Sequence, residues 1–163
     1  MLDPDLFIRR LLVQNFISVP SAVYRRDACL KQGGLDESLW YTADWDFWLK
    51  LGATGSVIYH DVETTAFRIH GSSLTATGSR NAADFEQQMK TVLERHQMAD
   101  PPIQKMARAS IAVNVCLAAV RSGEYDRVPA MIRQLLALGP KGIFDYRVIP
   151  VSCNASWDDC AQT

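Results

Sequence analysis

Histidine and cysteine are scarce, three and four in 163 residues, and Cys29, Cys116, Cys153 and Cys160 have none of the short spacings of a zinc or redox pair. Thiolate metal chemistry finds no support in such an arrangement. Cys29 and Cys116 sit inside apolar patterns and read as small hydrophobes, and all four cysteines are expected to be reduced thiols. Charge of one sign is not concentrated either: the net is -1 and the basic residues are scattered. Nucleic acid is therefore not an expected partner. Long apolar runs are missing as well. Arg, Asp or Gln interrupts each one, and MLDPDLFIRR lacks the apolar core of a signal peptide, so a cytoplasmic location is expected. No glycine-rich phosphate loop occurs.

What remains is a chain with 48% hydrophobic residues, enough to bury a core in one domain of ordinary size with an appendage. Residues 5–13 read as a short helix. From Phe16 the β-branched alternation of FISVPSAVYR predicts a strand turning at Pro20, followed by a brief helix, Arg26 to Gln32, stopped by Gly33 and Gly34. Trp45, Trp48, Leu49 and Leu51 repeat at helical spacing, with Thr42 as cap and Asp44 and Asp46 in the first turn. SVIYHDV and TTAFRIH predict two more strands, and GSSLTATGSRN a flexible loop.

Beyond that loop the pattern is helical. Phe85, Met89, Val92 and Leu93 mark one helix, Ile103–Val120 a second, apolar on nearly all sides, and Val128–Leu138 a third, with Asp126 as cap and Gly139 and Pro140 at its end. The last two form a hairpin of the kind used in tetratricopeptide-like arrays. A single such unit cannot bury its own face, so it should pack on the first part of the chain or on another chain. The tail from residue 151 has no periodicity and is expected to be disordered.

Three blocks in fixed order, NFISVPSAVYRRDACLKQGGLDESL, YTADWDFWLKLG and TTAFRIHGSSLT, resemble the acceptor-side half of family 2 glycosyltransferases, inverting enzymes of the GT-A fold. The resemblance implies an α/β fold: residues 1–78 as the C-terminal portion of a GT-A, Rossmann-like domain, then a helical region over 79–150 containing the hairpin. It implies transfer of a sugar from a nucleotide-sugar donor to a hydroxyl acceptor with inversion. Asp44 matches the aspartate that takes the acceptor's proton, a step in which a placed base contributes about 10²- to 10⁴-fold. Where many relatives carry Glu before this Asp, Ala43 stands here.

The resemblance also implies Mg²⁺ or Mn²⁺ against the diphosphate, with His70 near that metal. Arg68 and Arg25 or Arg26 are candidates for pairing with the diphosphate through a planar fork. Trp40, in the turn before the base, is the aromatic expected to meet the acceptor; Trp45 and Trp48 are expected in the core. Asp36 in GGLDE falls beside the acceptor site, with Asn15 and Ser21 as weaker candidates. Asp44 and Asp46 spell DxD, but that pair opens a helix, whereas a metal pair is expected at a strand end, so the metal motif and nucleotide-binding strands should lie upstream. The chain alone is therefore expected to be inactive and to bind no nucleotide diphosphate.

Two other classes compete. One is a noncatalytic binding or scaffolding module derived from a glycosyltransferase and lacking the donor-binding half. The other is a metallohydrolase using His60, Asp61 and His70, whose spacing does not suit a ligand triad. Peripheral membrane association and a homodimer are both open as modes of partnership.

Overall fold

The computed structural model describes residues 2–60, 62–66, 68 and 82–148. Its helices are α1 (Pro4–Val13), α2 (Arg26–Lys31), α3 (Ala43–Gly52), α4 (Ala82–Arg95), α5 (Pro101–Ser122), α6 (Val128–Leu136) and α7 (Gly139–Val148). Short 3-10 turns occupy Val19–Ser21 and Tyr125–Arg127.

Local chemistry accounts for the helix ends. Asp3 caps α1 by accepting the Leu6 N–H at 2.8 Å, and Pro4 costs nothing at the first helical position, where the amide has no partner anyway. Asp100 and Pro101 repeat this arrangement at α5, with the Ile103 N–H 3.1 Å from Asp100 Oδ1. After α2 the chain reverses through Gly33 and Gly34, at φ 78° and 70°, a left-handed conformation that a Cβ would strain. Their N–H groups close on the Leu30 and Cys29 carbonyls.

The core is assembled around α5, which packs against α1, α4 and α6. Phe7, Leu11, Leu12 and Val13 of α1, Trp45, Phe47, Trp48 and Leu49 of α3, Val92 and Leu93 of α4, and Ile111 and Val115 of α5 form one buried cluster. Trp45 ties α3 to α1, its Nε1 donating to the Leu11 carbonyl at 2.7 Å. By length and composition α5 could cross a membrane. Its Ala107, Ala109, Ser110, Ile111, Val115 and Ala119 are nevertheless buried inside the bundle, the pattern of a central helix in a packed domain.

The expected α/β, Rossmann-like arrangement is overturned: all regular elements among the described residues are helical, and no strand or sheet is found among them. Residues 16–25 do contain extended backbone, with ψ of 133° at Ser18, 131° at Ala22 and 134° at Arg25. An extended segment becomes a strand only when a neighbour supplies a ladder of donors and acceptors. Among the described residues no ladder forms along 16–25, and the bond from Leu2 N–H to the Val57 carbonyl at 2.9 Å lies outside any ladder. Alternation of β-branched residues marks a segment that suits a pleated surface, and tertiary context decides whether one forms.

Smaller differences have local causes. Thr42 takes the N-cap position of α3, but its hydroxyl makes no capping bond and is buried without a partner. The helix expected to run to Leu138 and end at Gly139 and Pro140 stops at Leu136, with Ala137 as its C-cap, and Gly139, at φ 71°, and Pro140 instead open a further helix, α7. A 3-10 turn over Tyr125–Arg127 replaces the expected Asp126 cap.

Candidate functional site

The sequence directs attention to the first turn of α3, where the helix period sends Asp44 and Asp46 to opposite sides. Asp46 is fully buried. His96 Nε2 lies 2.9 Å from its Oδ1, Lys50 Nζ 2.5 Å from its Oδ2, and Arg95 Nη1 3.6 Å from Oδ1. Burial acts to raise the Asp46 pKa, but bonding to Lys50 and His96 outweighs it and holds the carboxyl below its ordinary value. An acid so enclosed stays ionised and, fully buried, presents no surface to a substrate.

Asp44 has the opposite surroundings. It is partly buried, accepts the Trp45 N–H at 2.7 Å on Oδ1 and the Asn15 amide at 3.3 Å on Oδ2, and has no cation within ion-pair distance among the described residues. Burial dominates these two hydrogen bonds and lifts its pKa above the ordinary carboxylate value. Asn15 is itself oriented, its Oδ1 accepting the Ile17 N–H at 3.2 Å. The Tyr41 hydroxyl shares the environment. Burial and then the Asp44 charge push its pKa up, with the Arg121 guanidinium pulling the other way. A carboxylate held by neutral donors, with elevated proton affinity, is equipped to accept a proton.

The other candidates fall elsewhere. Asp36 Oδ1 accepts both the Ser38 N–H at 2.8 Å and the Ser38 hydroxyl at 2.6 Å, while Oδ2 takes Arg95 Nη1 at 2.6 Å. These bonds hold its carboxyl well below the usual range and give it a structural task. Trp40 is 42% exposed, and its Nε1 donates to Asp84 Oδ2 at 2.7 Å. Its ring meets Tyr41 edge-on, with centroids 5.6 Å apart. Arg68 is exposed and makes no hydrogen bond or ion pair among the described residues. His60 is exposed; Asp61 and His70 lie outside the described residues.

The loop before α3 is thus clamped by α4. Besides the Trp40–Asp84 and Asp36–Arg95 bonds, the buried Gln88 accepts the Tyr41 N–H at 3.0 Å. Gln88, Arg95 and His96 escape sequence reasoning because each lies about fifty positions from the residue it serves, and α4 carries no local mark of that role. Lys50 is the exception. It stands one turn beyond Asp46, the spacing at which an acid and a base meet on a helix.

A metal implied by the resemblance finds no fit among the described residues: no group of three His, Cys, Asp or Glu is placed to hold one. Asp46, half of the DxD, is committed to Lys50, His96 and Arg95. No protein-family model matches the chain, and no curated protein or solved structure is significantly similar to it.

Proposed function

We propose that this chain supplies the acceptor-activating carboxylate of a sugar transferase: Asp44 accepts the proton of a hydroxyl as its oxygen attacks the anomeric carbon of a nucleotide-sugar. The observation that carries this reading is the contrast within one helical turn. Asp46 is engaged by Lys50, Arg95 and His96, while Asp44 has no cationic partner among the described residues, is oriented by Asn15 and the Trp45 amide, and has its pKa raised by burial. Proton transfer is most effective when the base's pKa approaches the working pH, and upward displacement from the carboxylate range moves Asp44 that way. The departing diphosphate, the sugar and any metal are outside what the described side chains address, and no step is routed through them.

The test is Asp44→Asn in the gene product as encoded, assayed with nucleotide-sugars and hydroxyl acceptors. Loss of a general base lowers turnover by about 10²- to 10⁴-fold. Turnover within a few fold of the parent's would remove Asp44 from the reaction.

One observation favours a second reading, a noncatalytic association module. Val23 is 100% exposed and Ile58 73%, on stretches whose backbone forms no ladder among the described residues. Exposed apolar side chains of this kind are suited to contact with another chain. Sedimentation of the gene product at rising concentration, compared with Ile58→Lys, tests self-association. A concentration-dependent mass abolished by the substitution, with no transferase activity, would favour this reading over the first.

A further inference from the structure

A trough of about 500 Å³ runs between α4, α5 and α6, away from Asp44, and no part of the reading above uses it. That volume is of the size that encloses small ligands. Gln104, Arg108, Ile111 and Val115 line it from α5 at offsets of zero, four, seven and eleven, a single stripe of that helix. Leu93 and Glu94 face them from α4. The trough therefore has an apolar floor of Leu93, Ile111 and Val115 and a polar end at Gln104, Arg108 and Glu94.

Two features of the polar end are unusual. Both Nε2 and Oε1 of Gln104 are shut off from solvent, and neither has a hydrogen-bond partner. Buried polar atoms are nearly always satisfied, so a carboxamide orphaned at both ends lacks a partner that would sit beside it. One turn along, Arg108 is exposed and forms no ion pair among the described residues, whereas Lys90 and Arg127, the other cations of the lining, both engage Glu86. With three basic residues against Glu86 and Glu94, the lining carries a formal charge of +1.

We infer that the trough binds a small planar molecule with a cis-amide edge and a single anionic substituent. A carboxamide offers a donor and an acceptor side by side, and a lactam or pyrimidinedione edge presents the complementary pair in the same plane. Gln meets such edges with two hydrogen bonds, as it does the donor–acceptor edge of adenine. On binding, Gln104 changes rotamer at its inner, staggered torsions to enter the open volume, and its broad outer torsion then aligns the amide with the ligand's edge. The Arg108 fork then takes the anion, the ring lies on Leu93, Ile111 and Val115, and Glu94 disfavours a second negative charge. This site stands apart from the reading of Asp44, and its test needs no transferase assay.

The experiment is titration of the intact chain by calorimetry with three probes: orotate, which has both the edge and the anion; uracil, with the edge alone; and benzoate, with the anion alone. Orotate is expected to bind saturably and more tightly than either of the others. Gln104→Leu and Arg108→Gln should each weaken orotate binding by about tenfold, the discrimination of one two-point contact. Neither substitution removes a bond present in the unliganded protein, so both variants should fold, and an unchanged circular dichroism spectrum and melting temperature verify it. Absence of saturable orotate binding into the millimolar range overturns the inference. So does orotate binding that Gln104→Leu leaves unchanged, or binding no tighter than that of benzoate.

Discussion

Asp44 and Asp46, two residues apart in the first turn of α3, have pKa values displaced in opposite directions, Asp44 upward by burial and Asp46 downward by Lys50 and His96 despite burial. One backbone turn thus holds a carboxylate committed to the fold and another left available for chemistry. The distinction comes from what each side of the helix meets: Asn15 and Tyr41 on one, the end of α4 on the other.

Asp46 should govern the acid side of the stability curve. Its folded-state pKa lies below the unfolded value near 3.8, so its contribution is fully present above that value and is lost as pH falls through the folded-state pKa. Asp46→Asn is expected to lower stability at neutral pH by about 1.5–3 kcal/mol, the range for hydrogen bonds to charged groups. Lys50 and Arg95 keep part of their side chains in water, 29% and 37%, which spares the variant the larger penalty of fully buried unpaired charge. Urea unfolding at pH 7 and again below pH 3.8 checks both halves of the expectation: the gap between the proteins should close in acid.

Gly52 marks the close crossing of α3 over α1. A Cβ there would lie 2.7 Å from Phe7 Cε1 and 2.8 Å from Ile8 Cδ1, distances that force a neighbour to move. Ile8 can yield by turning its terminal methyl, but Phe7 is 4% exposed and packed in the core. Alanine gains about 1 kcal/mol from helix propensity. Overpacking costs about 1–3 kcal/mol, so Gly52→Ala should come out neutral to about 2 kcal/mol destabilising, read from the shift of the urea midpoint.

What the sequence disclosed follows from how far each signal reaches along the chain. Helix spacing at Trp45, Trp48 and Leu49 and the reversal at Gly33 and Gly34 are local, and α3 and the end of α2 form there. The run FISVPSAVYR failed as a strand because alternation specifies one side of a ladder and leaves its partner unspecified. Val23 accordingly remains in solvent. Asp36 is placed beside the acceptor site by the resemblance alone; its partner Arg95 comes from α4, far along the chain, and no local pattern points to that pairing. The burial of Asp46 is equally illegible in sequence, since nothing near it announces His96.

Trp40 offers a separation of structure from binding. Its indole donates to Asp84 at the surface and its ring is 42% exposed, so Trp40→Phe should cost no more than about 0.5–1.5 kcal/mol, the net worth of one hydrogen bond. If the ring also serves as a platform for an acceptor sugar, phenylalanine retains an apolar face while losing area and the N–H. The expected outcome is a raised KM for acceptor with kcat little changed, measured beside the thermal melt. A large loss of stability instead would make the Asp84 bond the reason for this tryptophan.

Asp44 supports the most discriminating prediction, because activity should fall while stability stays nearly unchanged. Its folded-state pKa is raised, so the folded protein holds this proton more tightly than the unfolded chain does. Its contribution to stability is therefore full below the unfolded value near 3.8 and is lost as pH rises through the folded-state pKa. At neutral pH the ionised, desolvated carboxylate is a net burden on the fold. Asp44→Asn removes that charge and keeps an oxygen for the Trp45 amide, but places an NH2 where Oδ2 accepts the Asn15 amide. Loss of that one hydrogen bond, about 0.5–1.5 kcal/mol, offsets the relief of the desolvated charge, so the variant should stay close to the parent in stability at pH 7. A residue serving only the fold would behave like Asp46, losing stability when neutralised, whereas one kept ionised against its burial for chemistry loses turnover with little loss of stability. Thermal melts of both asparagine variants at pH 7, set beside their transfer rates, separate these cases: a marked drop in melting temperature for Asp44→Asn would make that carboxylate a structural group.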